Sequence, residues 1–135
     1  MIYLTGFGQS INDVRAKYLV ALHDCQFAEE TYEYFLSIPE PSASIIAYKG
    51  ALEAILTKTT WNPFKKFAYL KESKISFSKA VEMDPNLLEI RFLRMAVQYE
   101  IPSYLGFSDE LKVDLAFILE NYIKFNPKIY SAEVL

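Results

Sequence analysis

From Ser10 to Phe125 apolar side chains recur at three- and four-residue steps, and no stretch alternates apolar and polar residues over a useful length. That periodicity predicts an all-α chain. The punctuation divides it into six helices. Ser10 with Asp13 three residues on resembles a capping box and opens the first, which carries Ile11, Val14, Tyr18 and Leu22 on one face. Asp24 caps a second with Phe27, Ala28, Thr31, Phe35 and Ile38, stopped at Pro39 and Pro41 because proline lacks an amide and clashes with the preceding turn. Ser42 or Ser44 starts a third with Ile45, Tyr48, Leu52, Ile55 and Leu56. Asn62 then caps a fourth, with Pro63 at the first helical position, where the missing donor costs nothing.

The fourth helix runs to about Met83 and turns Phe67, Leu70, Lys74, Phe77, Ala80 and Val81 inward. Asn86 with Glu89 offers a cap for a fifth helix, Leu87 to about Glu100. It has Leu88, Phe92, Met95, Ala96 and Tyr99 on one side and Ile90, Leu93 and Val97 on another, the pattern of a helix buried between neighbours. Ser108 opens a sixth through Leu111, Leu115, Ile118, Leu119 and Tyr122, stopped by Asn126-Pro127. A chain of 135 residues has room for one domain. Its expected boundaries are an arm over residues 1–9, a helical domain over 10–126 and a tail over 127–135.

Six helices of similar length and short connections invite a search for a repeat. Ser73, Phe77, Ala80 and Asp84-Pro85-Asn86 place a small residue, an aromatic four on, an alanine three further and a proline five beyond. This spacing resembles the second helix and exit turn of a tetratricopeptide repeat. Ala47-Tyr48-Lys49-Gly50-Ala51-Leu52 is similar to the first helix, with Gly50 at the close-contact position and about eleven extra residues, centred on Trp61-Asn62-Pro63-Phe64, before the second. The N-terminal pair matches more loosely: Ala28 and Tyr32 fit, and Phe35 stands where alanine is expected. In the last pair Pro102 and Asn126-Pro127 fall near the turns and the small positions are lost.

The likeness, shared with short bacterial proteins of this type, implies three antiparallel helix pairs stacked as a short TPR-like superhelix. It also implies a groove lined by helices one, three and five that binds a protein or peptide. The matched residues Gly50, Ser73, Phe77, Ala80, Asp84 and Pro85 are packing positions, so no binding residue carries over.

Charge and composition exclude some functions. Fourteen basic against seventeen acidic side chains give a net charge of −3, which provides no general attraction to phosphate backbones, so nucleic acid is not an expected partner. The single cysteine leaves no internal disulfide. No run reaches the roughly 18 apolar residues of a spanning helix. The uncharged, apolar opening Met1–Gly8 has the form of the end of a secretory signal, which predicts an exported or periplasmic protein with a start upstream. The alternative is a loosely packed arm on a cytoplasmic one. Charge is also segregated: residues 24–40 hold five acids and no base, and residues 58–79 hold six lysines against Glu72. These segments can meet within the fold, across two molecules, or not at all.

Candidate chemistry is sparse. His23, Asp24 and Cys25 are adjacent, but neighbours on a helix diverge by about 100° and do not face one another. A zinc site needs more ligands than one His and one Cys, so no metal or cofactor is expected. The pairs Glu29-Glu33 and Asp109-Glu110 fit solvated faces or helix starts, and no phosphate loop, GxSxG elbow or HExxH motif occurs.

Arg91, Arg94 and Gln98 fall at i, i+3 and i+7 and form a polar stripe on an apolar helix. They either grip a carboxylate of a partner or pair internally with Glu53, Glu89 or Glu120. Trp61, Phe64, Tyr104 and Phe107 lie in loops, where aromatics either anchor a partner or plug the end of a short stack. The expected function is a non-enzymatic protein- or peptide-binding scaffold. The alternatives are a homodimeric subunit joined through its aromatic surface, or a small-molecule binder or enzyme with a pocket under the Trp61 and Tyr104 loops.

Overall fold

The computed structural model describes the backbone of residues 2–125 and the side chains of residues 11–122. The expected stop at Asn126-Pro127 and the tail over 127–135 lie outside these residues. Six α-helices follow one another: α1 (Ile2–His23), α2 (Ala28–Ser37), α3 (Ala43–Leu56), α4 (Pro63–Met83), α5 (Leu88–Glu100) and α6 (Leu111–Phe125). Three short 3₁₀ turns, Cys25–Phe27, Thr57–Thr59 and Ser103–Leu105, lie in the α1–α2, α3–α4 and α5–α6 connections. Among the described residues there is no strand, so the fold is all-α.

Local sequence sets two of the starts as expected: Ser42 accepts the amide of Ile45 at the head of α3, and Asn62 accepts that of Phe64 with Pro63 behind it. Four others differ. Asp24 accepts the amide of Gln26 and caps the first 3₁₀ turn, and α2 begins after Phe27 with no side-chain cap. α1 runs through Ser10, so the Ser10–Asp13 pair stands inside the helix and does not begin it. α5 starts after Leu87 with no side-chain cap, because the Glu89 carboxylate is turned to other helices. α6 begins at Leu111, three residues after Ser108, whose carbonyl closes a turn onto the Leu111 amide.

Asp84 ends α4 with its amide bonded to the Ala80 carbonyl. Between Pro39 and Pro41, Glu40 takes a left-handed backbone with φ 46°, an unusual and strained choice for a residue with a Cβ.

The helix buried on all sides is α3, not α5. None of its residues is exposed, and it touches α1, α2, α4 and α5. α5 turns Ile90, Leu93, Arg94 and Gln98 inward and leaves Phe92 and Tyr99 in solvent, since α6 covers only one of its flanks. Consecutive helices pack as pairs, and α3 also touches α1 on one side and α5 on the other.

The most extensive contact, α3 against α4, centres on the small residues singled out above. Ser73 Oγ donates to the Gly50 carbonyl at 2.7 Å, and buried Phe77 and Ala80 continue the seam. A Cβ on Gly50 would stand 3.1 Å from Phe77 Cδ2 and 3.1 Å from Ser76 Cβ. Beside this crossing Glu53, with no exposed surface, accepts hydrogen bonds from Tyr32 on α2, Lys49 on α3 and Ser76 on α4 at 2.7, 2.8 and 2.6 Å.

Alanine at position 50 gains about 1 kcal/mol of helix propensity and loses a similar amount to crowding. Gly50→Val adds branched atoms against Phe77 and Ser76 and is expected to destabilise the fold by about 1–3 kcal/mol. Urea unfolding of the two variants beside the parent measures both effects.

Candidate functional site

The polar stripe of α5 points inward and is occupied. Asp114, fully buried on α6, accepts Arg94 Nε at 2.6 Å on one oxygen, and Arg94 Nη2 at 2.7 Å and Arg91 Nη1 at 3.1 Å on the other. Such a bidentate, charge-assisted contact is among the stronger polar interactions a protein makes. Arg91 also donates twice to the Pro85 carbonyl, at 3.2 and 3.0 Å, and its guanidinium lies 4.5 Å from the centre of the Phe117 ring. It thereby ties the α4–α5 turn to α6. Gln98 donates to Glu110 at 2.8 Å, and its buried Oε1 meets no partner.

The carboxylate between the two arginines is thus Asp114, not Glu53 or Glu89. Those two acids are engaged elsewhere. α6 packs chiefly on α5, and this ion pair ties the last helix to it.

A second polar node joins the odd-numbered helices. Arg15 on α1 reaches past α3 to Glu89 on α5 through paired bonds of 3.0 and 2.9 Å, and Tyr48 on α3 donates to the same carboxylate at 2.6 Å. Hydrogen bonds from Arg15 and then Tyr48 hold the Glu89 carboxyl below the usual carboxylate range, against its partial burial. Burial first, and the bond to Glu89 second, push the Tyr48 phenol up to about 12.

The aromatic loop residues divide. Phe107 is buried and meets Phe67 edge-on at 5.4 Å, so it plugs the α4–α5 side of the stack. The room behind it, between Ser73, Lys74, Phe77 and Gln98, is about 10 Å³, the space of one water. Trp61, Phe64 and Tyr104 plug nothing: they are 96%, 84% and 85% exposed. The Trp61 loop is nevertheless firmly built. Lys66 Nζ donates to the Thr57 carbonyl at 2.8 Å, and the Asn62 cap fixes the first turn of α4.

The periodicity did not single out one feature. A groove of about 370 Å³ runs between α1 and α2, walled by Ala16, Val20, Phe27, Thr31 and Tyr34, with Lys17 and Glu30 at its rim. The signal was present: Leu19 and Val20 are apolar and fall away from the Val14–Tyr18 face.

His23 and Asp24 are exposed and Cys25 half-buried. The two Asp24 oxygens go to Gln26, one to its amide at 3.2 Å and one to its side chain at 2.6 Å. Glu29 and Glu33 are exposed, and Asp109 meets Lys74 at 3.4 Å. Among the described residues no group of three His, Cys, Asp or Glu side chains could hold a metal ion, and no helix is long and apolar enough to cross a membrane. A scan against protein-family models and searches of curated proteins and of solved structures return no match.

Asp114→Ala leaves two guanidiniums without their carboxylate, a loss of about 3–5 kcal/mol for a broken buried pair. Because α6 packs chiefly on α5, the expected result is local: amide exchange speeds up in residues 111–122 while α3 and α4 stay protected. Glu89 supplies a pH test. Its folded pKa is lowered, so the stabilisation is full above the unfolded value of about 4.3 and is lost as pH falls through the folded one. The stability difference between the parent and Glu89→Gln should be constant above about pH 5 and shrink on acidification, as denaturant curves at several pH values will record.

Proposed function

We propose that the chain is a non-enzymatic, tetratricopeptide-like helical scaffold that binds a protein or peptide, and that it meets its partner through the end carrying Trp61 and Tyr104. One contrast carries this reading. The polar residues Arg91 and Arg94 are bonded to the chain's own Asp114, while Trp61 and Tyr104 stand almost wholly in solvent in the α3–α4 and α5–α6 connections. Large rigid aromatics are the side chains that contribute most at protein interfaces, because they bury much area with few torsions to freeze.

Support for the scaffold itself comes from the pairwise packing of consecutive helices and the close α3–α4 crossing at Gly50 and Ser73. The groove expected along α1, α3 and α5 is a weaker candidate for the contact. α3 exposes no residue there, and the Arg15–Glu89–Tyr48 node spans it.

The test uses the full chain immobilised against an extract of its native compartment. Capture of the specific partner should fall at least ~10-fold for Trp61→Ala with Tyr104→Ala, in line with loss of interface anchors, and be retained by Arg94→Met where the variant remains folded. Equal capture by the aromatic double variant and the parent would overturn the reading.

A further inference from the structure

The exposed end of the molecule carries both halves of a contact. One half is a projecting aromatic pair, Trp61 and Phe64, flanked by the exposed lysines Lys58 and Lys65. The other is the α1–α2 groove, walled by Val20, Phe27 and Tyr34 with Lys17 and Glu30 in its lining, and with the further exposed acids Glu29 and Glu33 on α2. Its volume of about 370 Å³ is in the range of pockets that enclose whole ligands, so it can receive an aromatic side chain. The projection carries lysines alone, whereas α2 beside the groove carries three acids, and the Lys17 ammonium in the groove lining is taken up by the Tyr34 ring, 4.9 Å from its centre. Within one chain they do not satisfy each other: no ion pair among the described residues joins the acids of 24–40 to the lysines of 58–79.

The two halves are also neighbours. The 3₁₀ turn Cys25–Phe27, which contributes Phe27 to the groove, touches the turn Thr57–Thr59, two residues before Trp61. A projection and a receptor side by side on one end can be satisfied together by a two-fold axis, which closes the assembly at two copies and leaves no open chain of contacts.

We infer that a second copy of this chain covers this end: Trp61 and Phe64 of each copy enter the α1–α2 groove of the other, and Lys58 and Lys65 face the acids of α2. The inference rests on the reading of this end as a protein interface and names the occupant. Four aromatic side chains bury of the order of 600–1,000 Å², and the groove walls add a smaller area, so the contact has the size of a weak, reversible interface. The ordering cost is small because the Asn62 cap and the Lys66–Thr57 bond already fix the loop.

The chain holds a single tryptophan, so its fluorescence reports on the contact itself. Sedimentation equilibrium of the full chain from about 1 to 500 μM, with Trp61 emission followed in parallel, should show a dimer and a blue shift that grows with concentration and weakens with salt. Trp61→Ala and Val20→Arg, both at exposed positions, should each weaken the dimer at least ~10-fold while far-ultraviolet circular dichroism stays unchanged.

Charge reversal adds a specific signature. A variant with Lys58→Glu and Lys65→Glu and one with Glu29→Lys, Glu30→Lys and Glu33→Lys should each be monomeric and should dimerise when mixed. A monomer at every concentration, a dimer indifferent to Trp61→Ala and Val20→Arg, or an emission shift produced only by phosphatidylserine-containing vesicles overturns the proposal. A monomer whose capture of another protein still depends on Trp61 refutes self-docking alone and leaves the scaffold reading standing.

Discussion

The distance between α3 and α4 is the constraint on which the other contacts depend. Ser73 Oγ bonded to the Gly50 carbonyl at 2.7 Å brings a side chain of one helix onto the backbone of the other, an approach so close that a Cβ on Gly50 would crowd Phe77 and Ser76 at 3.1 Å. With the helices that close, Ser76 reaches the Glu53 carboxylate, and Lys49 and Tyr32 complete its shell. Removed from water without these donors, that charge would cost several kcal/mol. Close packing and polar satisfaction are therefore one requirement here, since a wider crossing would break both.

The same logic repeats along the stack with different chemistry. Three carboxylates, Glu53, Glu89 and Asp114, each collect donors from other helices. Glu53 ties α3 to α2 and α4, Glu89 ties α5 to α1 and α3, and Asp114 ties α6 to α5. Apolar contact alone is tolerant of rotation and sliding, whereas a carboxylate that must meet two or three donors fixes both. These nodes set how each helix is turned on its neighbour, and so decide which residues face outward. They also use up Arg15, Arg91 and Arg94 inside the chain.

How much of this was legible depends on how far apart in sequence the deciding groups lie. The caps at Ser42 and Asn62 act over two or three residues, and the structure uses both as expected, while Asp24 caps the 3₁₀ turn that leads into α2. Gly50, Ser73 and Phe77 were legible because a steric demand leaves a mark in residue size. The partner of Arg91 and Arg94 was not, because several acids compete and the choice depends on the rotation of α6 about its own axis, which no local pattern specifies. For α5 the sequence offered two apolar faces. The tertiary fold buried the one that brought Arg94 and Gln98 inward with Ile90 and Leu93, and left Phe92 and Tyr99 outside. The Glu89 cap failed for a related reason: a carboxylate that can meet a guanidinium and a phenol gains more than one bonded to a single helix-end amide.

The exposed aromatics are the one feature this economy of contacts does not absorb. Phe107 shows what a loop aromatic does when a gap exists beside it, for it turns in and meets Phe67. Trp61 and Phe64 sit at the head of α4, where Pro63 and the Asn62 cap set the direction of the chain, and Lys66 locks the preceding turn to the helix. Those restraints hold two hydrophobic rings in water, an arrangement that local folding does not reward and that a loop with polar side chains would avoid. A rigid apolar projection of this kind gains by being covered from outside its own stretch of chain, and the α1–α2 groove on the same end is the surface we propose for it.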